Sequence, residues 1–213
     1  MENDTNINPE ANDELTAESI TIHKGGAGTV NATTVNLSEG GITTANADDI
    51  HITRGGASTV NTTNLTVRQG GLQTANAEHM VVRQGGVLRA KATHLEMLQG
   101  GAGMIRTETA NLTASNAGAV VANGDVTMDQ ASARVLVAKG SISMDQGGSV
   151  FTVANRVQMQ NSGSVFLIAR QVDGDVNTMF GQRESIVFGA IAGLIAGVVI
   201  MLGNLVRRRR NSR

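Results

Sequence analysis

Residues 50–64 read IHITRGGASTVNTTN, residues 65–79 read LTVRQGGLQTANAEH, and residues 80–94 read MVVRQGGVLRAKATH. A Gly-Gly pair stands at the same place in each of these 15-residue segments. The pair occurs six times in succession at this interval, starting at Gly25, Gly40, Gly55, Gly70, Gly85 and Gly100. A short and constant period is typical of proteins in which each repeat stacks on its neighbour. The chain is therefore predicted to form a solenoid.

Small or apolar residues recur within each repeat as pairs separated by one residue. Val30 and Ala32 form one such pair, Val35 and Leu37 form the next, and the pairs start five residues apart. Alternation of this kind predicts a strand whose two apolar side chains face the same way. Three pairs fill the 15-residue period, so each coil is expected to be a triangle of three short strands. Successive coils should stack as parallel strands about 4.8 Å apart.

The period shifts in the second half of the chain. Val121 and Val137 begin similar motifs whose spacing is one residue longer than the repeat, while the later motifs at Val153 and Ile168 return to the usual spacing. The sequence predicts the same solenoid with one extra corner residue in two coils. The fold class is therefore an all-β, three-sided parallel β-solenoid over residues 17–176, with about 11 coils, followed by one C-terminal transmembrane α-helix.

The ends of the chain differ from the repeats. Residues 1–16 are polar and acidic, which predicts a disordered tail or, alternatively, a cap over the first coil. Residues 177–185 are expected to be a connector. Residues 186–206 carry no charged side chain, and as a helix that rises about 1.5 Å per residue they are long enough to cross a bilayer. Residues 207–213 are a basic tail.

The predicted membrane helix carries features of its own. Gly189, Gly193 and Gly197 recur every fourth residue, a spacing that lets two membrane helices approach closely. The arginines that follow are candidates for contact with lipid headgroups: Arg207, Arg208, Arg209 and Arg210.

The orientation of the helix is left open. Arginines beside a membrane helix usually stay in the cytoplasm, whereas a helix so near the C-terminus suits a tail anchor with a cytoplasmic solenoid. We expect a single-pass membrane protein with its solenoid in the cytoplasm.

Two kinds of outward column are candidate surfaces. One kind is a regular array of threonine and asparagine, at Thr29, Asn31, Thr44, Asn46, Thr59, Asn61, Thr74 and Asn76. These side chains are expected either to bond one another as ladders or to order water or sugar at a ligand surface. The other kind is the second glycine of each pair, which leaves a strip without side chains. The glycines serve either tight packing and corners or a flat face for a partner.

The composition argues against several classes of function. The chain has 26 Gly, 1 Pro, 4 Phe and neither Cys, Trp nor Tyr, so disulfides and thiolate metal sites are excluded. A formal charge of −1 offers no general basic field for nucleic acid. His79 and His94 are one period apart and should stack, but two histidines alone make a weak metal site. We expect no enzyme activity, no catalytic residues and neither cofactor nor metal.

A three-sided, aromatic-poor solenoid joined to a membrane segment resembles the bactofilins, the polymer-forming cytoskeletal β-helix proteins of bacteria. The resemblance covers residues 17–176 and is one of architecture. It implies end-to-end polymerisation into a scaffold at a membrane, with the lipid bilayer and further copies of the chain as partners. The alternative is a membrane-displayed binding rod, such as an adhesin or an ice- or carbohydrate-binding protein, that uses the threonine and asparagine columns.

Overall fold

The computed structural model describes residues 4–7 and 14–180, and the burial of side chains over residues 14–174. Ten strands, β1 to β10, make up this part of the chain. In order, they are Asp4–Ile7, Glu14–Arg68, Gly71–Arg83, Gly86–Leu98, Gly101–Thr113, Asn116–Ala122, Val126–Asp129, Ser132–Ala138, Ser141–Asp145 and Gly148–Phe180. The predicted helix at 186–206 and the basic tail at 207–213 lie outside the described residues.

The strands pair in parallel at the predicted interval. Gly56 is the partner of Gly71, Gly71 of Gly86, and Gly86 of Gly101, so equivalent residues of successive repeats lie side by side. The all-β parallel solenoid is thus confirmed. Each coil hydrogen-bonds to the next through its backbone, which satisfies the polar groups that a narrow core could not otherwise bury.

The register shift falls where the sequence placed it. Ala110 pairs with Val126 and Ala122 pairs with Ala138, so each of these intervals is one residue longer than the repeat. Ser141 pairs with Arg156, which restores the usual interval. The extra residue lies in one corner of each coil, so the strands on either side keep their faces. A one-residue slip within a strand would instead have turned its apolar residues outward.

The core is a narrow stack of inward-facing side chains from successive coils. Ile50, Ile52, Ala57 and Val60 are buried in one coil, and their equivalents one repeat earlier and one repeat later are mostly buried as well. Burying each large aliphatic side chain contributes roughly 1.5–3 kcal/mol. The buried apolar residues are alanine, valine, isoleucine, leucine and methionine, and these fill the narrow interior without an aromatic side chain.

The predicted number of about 11 coils is not confirmed. When turns are counted as successive strands of the sheet, the structure shows about seven. The difference arises because β2 and β10 each run as one strand through several repeats, whereas the prediction divided the chain into coils of equal length.

The first strand lies within the predicted N-terminal tail. β1 pairs in parallel with Ser19–Ile22 of β2, at the interval of one repeat. At these four residues the chain therefore lies on the first coil, in the register of the stack.

One corner of every coil is built by a residue in the left-handed conformation. Within the part of the chain that the structure describes, ten residues other than glycine have this backbone geometry, with φ between 48° and 62°. They are Lys24, Glu39, Arg54, Gln69, Gln84, Gln99, Ala114, Gln130, Gln146 and Asn161. The glycine pair follows this corner residue instead of forming the turn itself, so the first glycine is needed for another reason.

That reason is the close approach of neighbouring coils. A Cβ atom on Gly70 would lie 2.4 Å from the carbonyl oxygen of Gly55 and 3.0 Å from the Val67 side chain. The second glycine of the same pair, Gly71, has nothing within 4 Å of its Cβ position. At this pair the first glycine thus lies against the neighbouring coil, whereas the second faces open space.

Substitution of the two glycines tests this division. Gly70→Ala should lower the free energy of unfolding by roughly 1–3 kcal/mol, because the new methyl group meets backbone that cannot move away easily. Gly71→Ala should change it by less than about 0.5 kcal/mol. Urea unfolding followed by circular dichroism measures both. Equal losses in the two variants would contradict the packing explanation.

Substitution of Ala114 tests whether the left-handed corner is strained, since the side chain removed is only a methyl group. Ala114→Gly should raise the free energy of unfolding by about 1 kcal/mol, because glycine adopts positive φ without steric conflict. Ala119→Gly, at an ordinary strand position in β6, is the control and should lower stability by about 0.5–1 kcal/mol. If both variants are destabilised alike, the left-handed corner imposes no strain.

Candidate interaction surfaces

The asparagine column forms a continuous hydrogen-bonded ladder. The side-chain amide of Asn46 donates to Asn31 Oδ1, that of Asn61 donates to Asn46, and that of Asn76 donates to Asn61, each over 2.9 Å. Asn31 in turn donates to Glu14 Oε1 over 3.3 Å. Parallel in-register pairing places the amides one coil apart, which suits this bond.

The ladder uses part of the hydrogen-bonding capacity that a ligand would need. Each inner amide already donates one hydrogen and accepts another within the column. The neighbouring threonines are only partly exposed: Thr29, Thr44, Thr59 and Thr74. This geometry supports the structural interpretation of the asparagine column.

The glycine strip is a surface of the rod without side chains. It consists of the second glycines, Gly26, Gly41, Gly56, Gly71, Gly86 and Gly101. A shallow depression follows the strip from Gly26 to Gly86. Beside it, the corner glutamines bond along the rod, since Gln69 donates to Gln84 and Gln84 to Gln99, each over 3.2 Å.

The two histidines stack as the period predicts. The rings of His79 and His94 are nearly parallel, with centroids 5.1 Å apart. His94 Nδ1 lies 2.8 Å from Thr109 Oγ1, so the column continues into the next coil. Among the described residues, no group of three or more histidines, aspartates and glutamates is placed to hold a metal ion.

The side of the rod that carries the asparagine ladder changes its chemistry along the rod. We call this whole side the Asn side. After Asn76 the same column continues with Lys91 and Arg106 and then becomes aliphatic, at Val121, Val137 and Val153. The neighbouring threonine column likewise continues as Arg89, Met104, Ala119, Val135 and Phe151.

The later part of this side exposes large apolar side chains. Among residues 14–174, the exposed large apolar residues are Leu88, Met104, Val135, Val150, Phe151, Phe166, Ile168 and Val172. All of them except Val172 lie in the two columns just named or at the adjoining corner. Phe151 and Phe166 contact each other, with ring centroids 6.4 Å apart and rings tilted by 46°. Our sequence interpretation missed this surface, although the end of the Thr-x-Asn pattern at Arg89 marked where it begins.

Val172 is exposed for a different reason. It stands one repeat after Val157, which is fully buried, but Val172 itself is 44% exposed. It thus occupies a core position in the last coil of the stack, where no later coil covers it among the described residues.

The candidate residues of the predicted membrane helix and basic tail do not belong to these surfaces. Gly189, Gly193, Gly197 and Arg207 to Arg210 lie outside the described residues. Within residues 4–7 and 14–180, no helix is long and apolar enough to cross a membrane.

Substitution of Asn61, at the middle of the ladder, tests its structural role. Asn61→Ala removes two side-chain hydrogen bonds and should lower the free energy of unfolding by about 1–2 kcal/mol. Asn76→Ala, at the end of the ladder, removes one bond and should have about half that effect. Denaturant titration distinguishes them, and no difference from the parent protein would show that the ladder adds nothing to stability.

Comparisons of the chain with protein-family models, with curated proteins and with solved structures found no match. The resemblance to bactofilins therefore stays one of β-helix architecture.

Proposed function

We propose that the chain is a self-assembling β-solenoid that acts as a structural scaffold at a membrane. The observation that carries this proposal is the exposed core position at the end of the stack. In a globular protein such a position would be closed by another element, whereas a solenoid can close it with the first coil of a second copy.

The column of Val172 shows that the last described coil lacks the burial that its equivalents have. Earlier members of this column are buried to 95% or more: Ile20, Val35, Ile50, Leu65, Met80, Leu95, Ala110, Val126, Ile142 and Val157. Leu167 and Ala169 in the last coil are also only partly buried. Apolar surface of this kind is stabilised by burial, and a further coil in the same register would provide it.

The backbone favours the same kind of joint. In a parallel stack every coil offers N–H and C=O groups to the coils on both sides. The outer set of a terminal coil can therefore pair with another chain. Head-to-tail contact, from the last coil of one copy to the first of another, continues the parallel register. Because such a contact does not close on itself, it builds filaments.

Attachment to a membrane is supported by the sequence alone. Residues 186–206 contain no charged side chain, and Arg207 to Arg210 follow them directly. A scaffold anchored in this way would hold its filaments beside the bilayer, with the basic residues near lipid headgroups.

The displayed binding rod is the weaker alternative. It relies on the threonine and asparagine columns, whose amides bond one another in the ladder. Protection of the solenoid from protease in intact cells would favour the scaffold, whereas digestion would favour display.

The proposal is tested with the full chain in detergent, by negative-stain electron microscopy over a range of protein concentrations. We expect rods joined end to end, with filament length rising with concentration. Val172→Lys should abolish the joints, because it places a charge in the apolar end of the core. Gln171→Lys adds the same charge at the neighbouring exposed residue and should leave them intact.

Single rods at every concentration would refute assembly through the coil end. Equal loss of filaments in both lysine variants would show that net charge, and not the exposed core position, governs association.

A further inference from the structure

We propose that the later part of the Asn side lies against the surface of an anionic lipid bilayer. We call this region the apolar–basic face, and it consists of Arg89, Lys91, Met104, Arg106, Val135, Phe151, Phe166 and Ile168. The rod would then lie along the membrane instead of projecting from it. The proposal goes beyond anchoring by residues 186–206, because it concerns the solenoid itself.

The apolar half of this face is suited to the lipid interface. Val135 is 38% exposed, Phe151 37% and Ile168 59%. They lie in adjacent outward columns of neighbouring coils, so they form one patch. Soluble proteins rarely expose contiguous apolar patches of large side chains, and those that do use them for binding.

The charged residues around the patch match an anionic surface. Arg89, Lys91 and Arg106 precede it in the same two columns and are exposed. Arg134 and Lys139, which are both exposed, flank the middle coil of the patch. Apolar side chains combined with lysine and arginine are the usual composition of surfaces that bind anionic membranes.

Acidic residues are few on this face, and two of them already have partners. Glu108 Oε1 accepts a hydrogen bond from Asn123 over 3.2 Å. Asp125 lies at the corner, where its Oδ1 accepts one from the Ser141 backbone over 2.6 Å. Five exposed basic side chains therefore stand against these two carboxylates around the patch: Arg89, Lys91, Arg106, Arg134 and Lys139.

A second copy of the chain is the less suitable occupant. If two rods met through this face in a symmetric pair, each would bring the same basic residues against the other, and like charges would repel. A lipid surface carries the opposite charge. The position in the chain agrees, because Ile168 stands 18 residues before Ile186, where the uncharged segment begins.

The chain contains no cysteine, so single cysteines allow site-specific labelling of the full-length protein. Val135→Cys and Ile168→Cys place the fluorophore NBD on the face. Thr127→Cys, which is exposed on another side of the coil, is the matched control. Ile195→Cys reports separately on the apolar segment. Each variant is reconstituted in phosphatidylcholine vesicles with and without phosphatidylserine and with spin-labelled lipid as quencher.

We expect the probes at residues 135 and 168 to shift to shorter emission wavelengths and to be quenched by spin-labelled lipid when phosphatidylserine is present. The probe at residue 127 should do neither. The triple variant Arg89→Gln, Lys91→Gln and Arg106→Gln should lose the dependence on phosphatidylserine. A control triple variant beside the glycine pairs, Arg54→Gln, Arg68→Gln and Arg83→Gln, removes the same charge away from this face and should keep the dependence.

Unquenched probes at both face positions would overturn the proposal. Quenching at residue 195 would then show that anchoring still holds, and its absence would show that anchoring fails independently. The emission could instead shift to shorter wavelengths without lipid quenching, with a shift that grows as the ratio of protein to lipid rises. That result would identify a second copy of the chain as the occupant and would also overturn the proposal.

Discussion

The close approach of successive backbones at the first glycine of each repeat is the constraint on which this structure depends. A Cβ atom at Gly40, Gly55, Gly70, Gly85 or Gly100 would come within 1.9 to 2.7 Å of a carbonyl oxygen in the preceding coil. Where the glycine is replaced later in the chain, the substitutes are small. Ser115 illustrates how they fit, because its hydroxyl donates to the Thr113 carbonyl over 2.7 Å and accepts from the Gly100 amide over 3.2 Å.

Because the stack holds one register, each outward position becomes a column with a chemistry of its own. Identical amides at one interval form the asparagine ladder, and the stacked histidines and the contacting phenylalanines follow from the same geometry. The columns also allow gradual change, since each coil can alter its outer residues without disturbing the core. The Asn side passes in this way from polar amides through basic residues to an apolar patch.

The two proposals draw on different parts of this design. Assembly depends on the end of the stack, where Val172 occupies a core position without a covering coil among the described residues. Membrane contact depends on the flank of the rod, where apolar and basic side chains lie together. The two surfaces do not compete, so a filament joined at its coil ends could lie along a bilayer through its flank.

The sequence by itself determined the length of the repeating coil, the parallel stacking, the inward and outward glycines and the two coils with an extra corner residue. Periodicity is a local property of the chain, and it states which residues share a column. Only the tertiary structure decided that residues such as Ala114 and Gln84 take the left-handed corner and how far strands run through the corners. It also decided that no later coil among the described residues covers Val172. These features depend on steric contact between coils and on where the stack ends, which a repeat pattern does not contain.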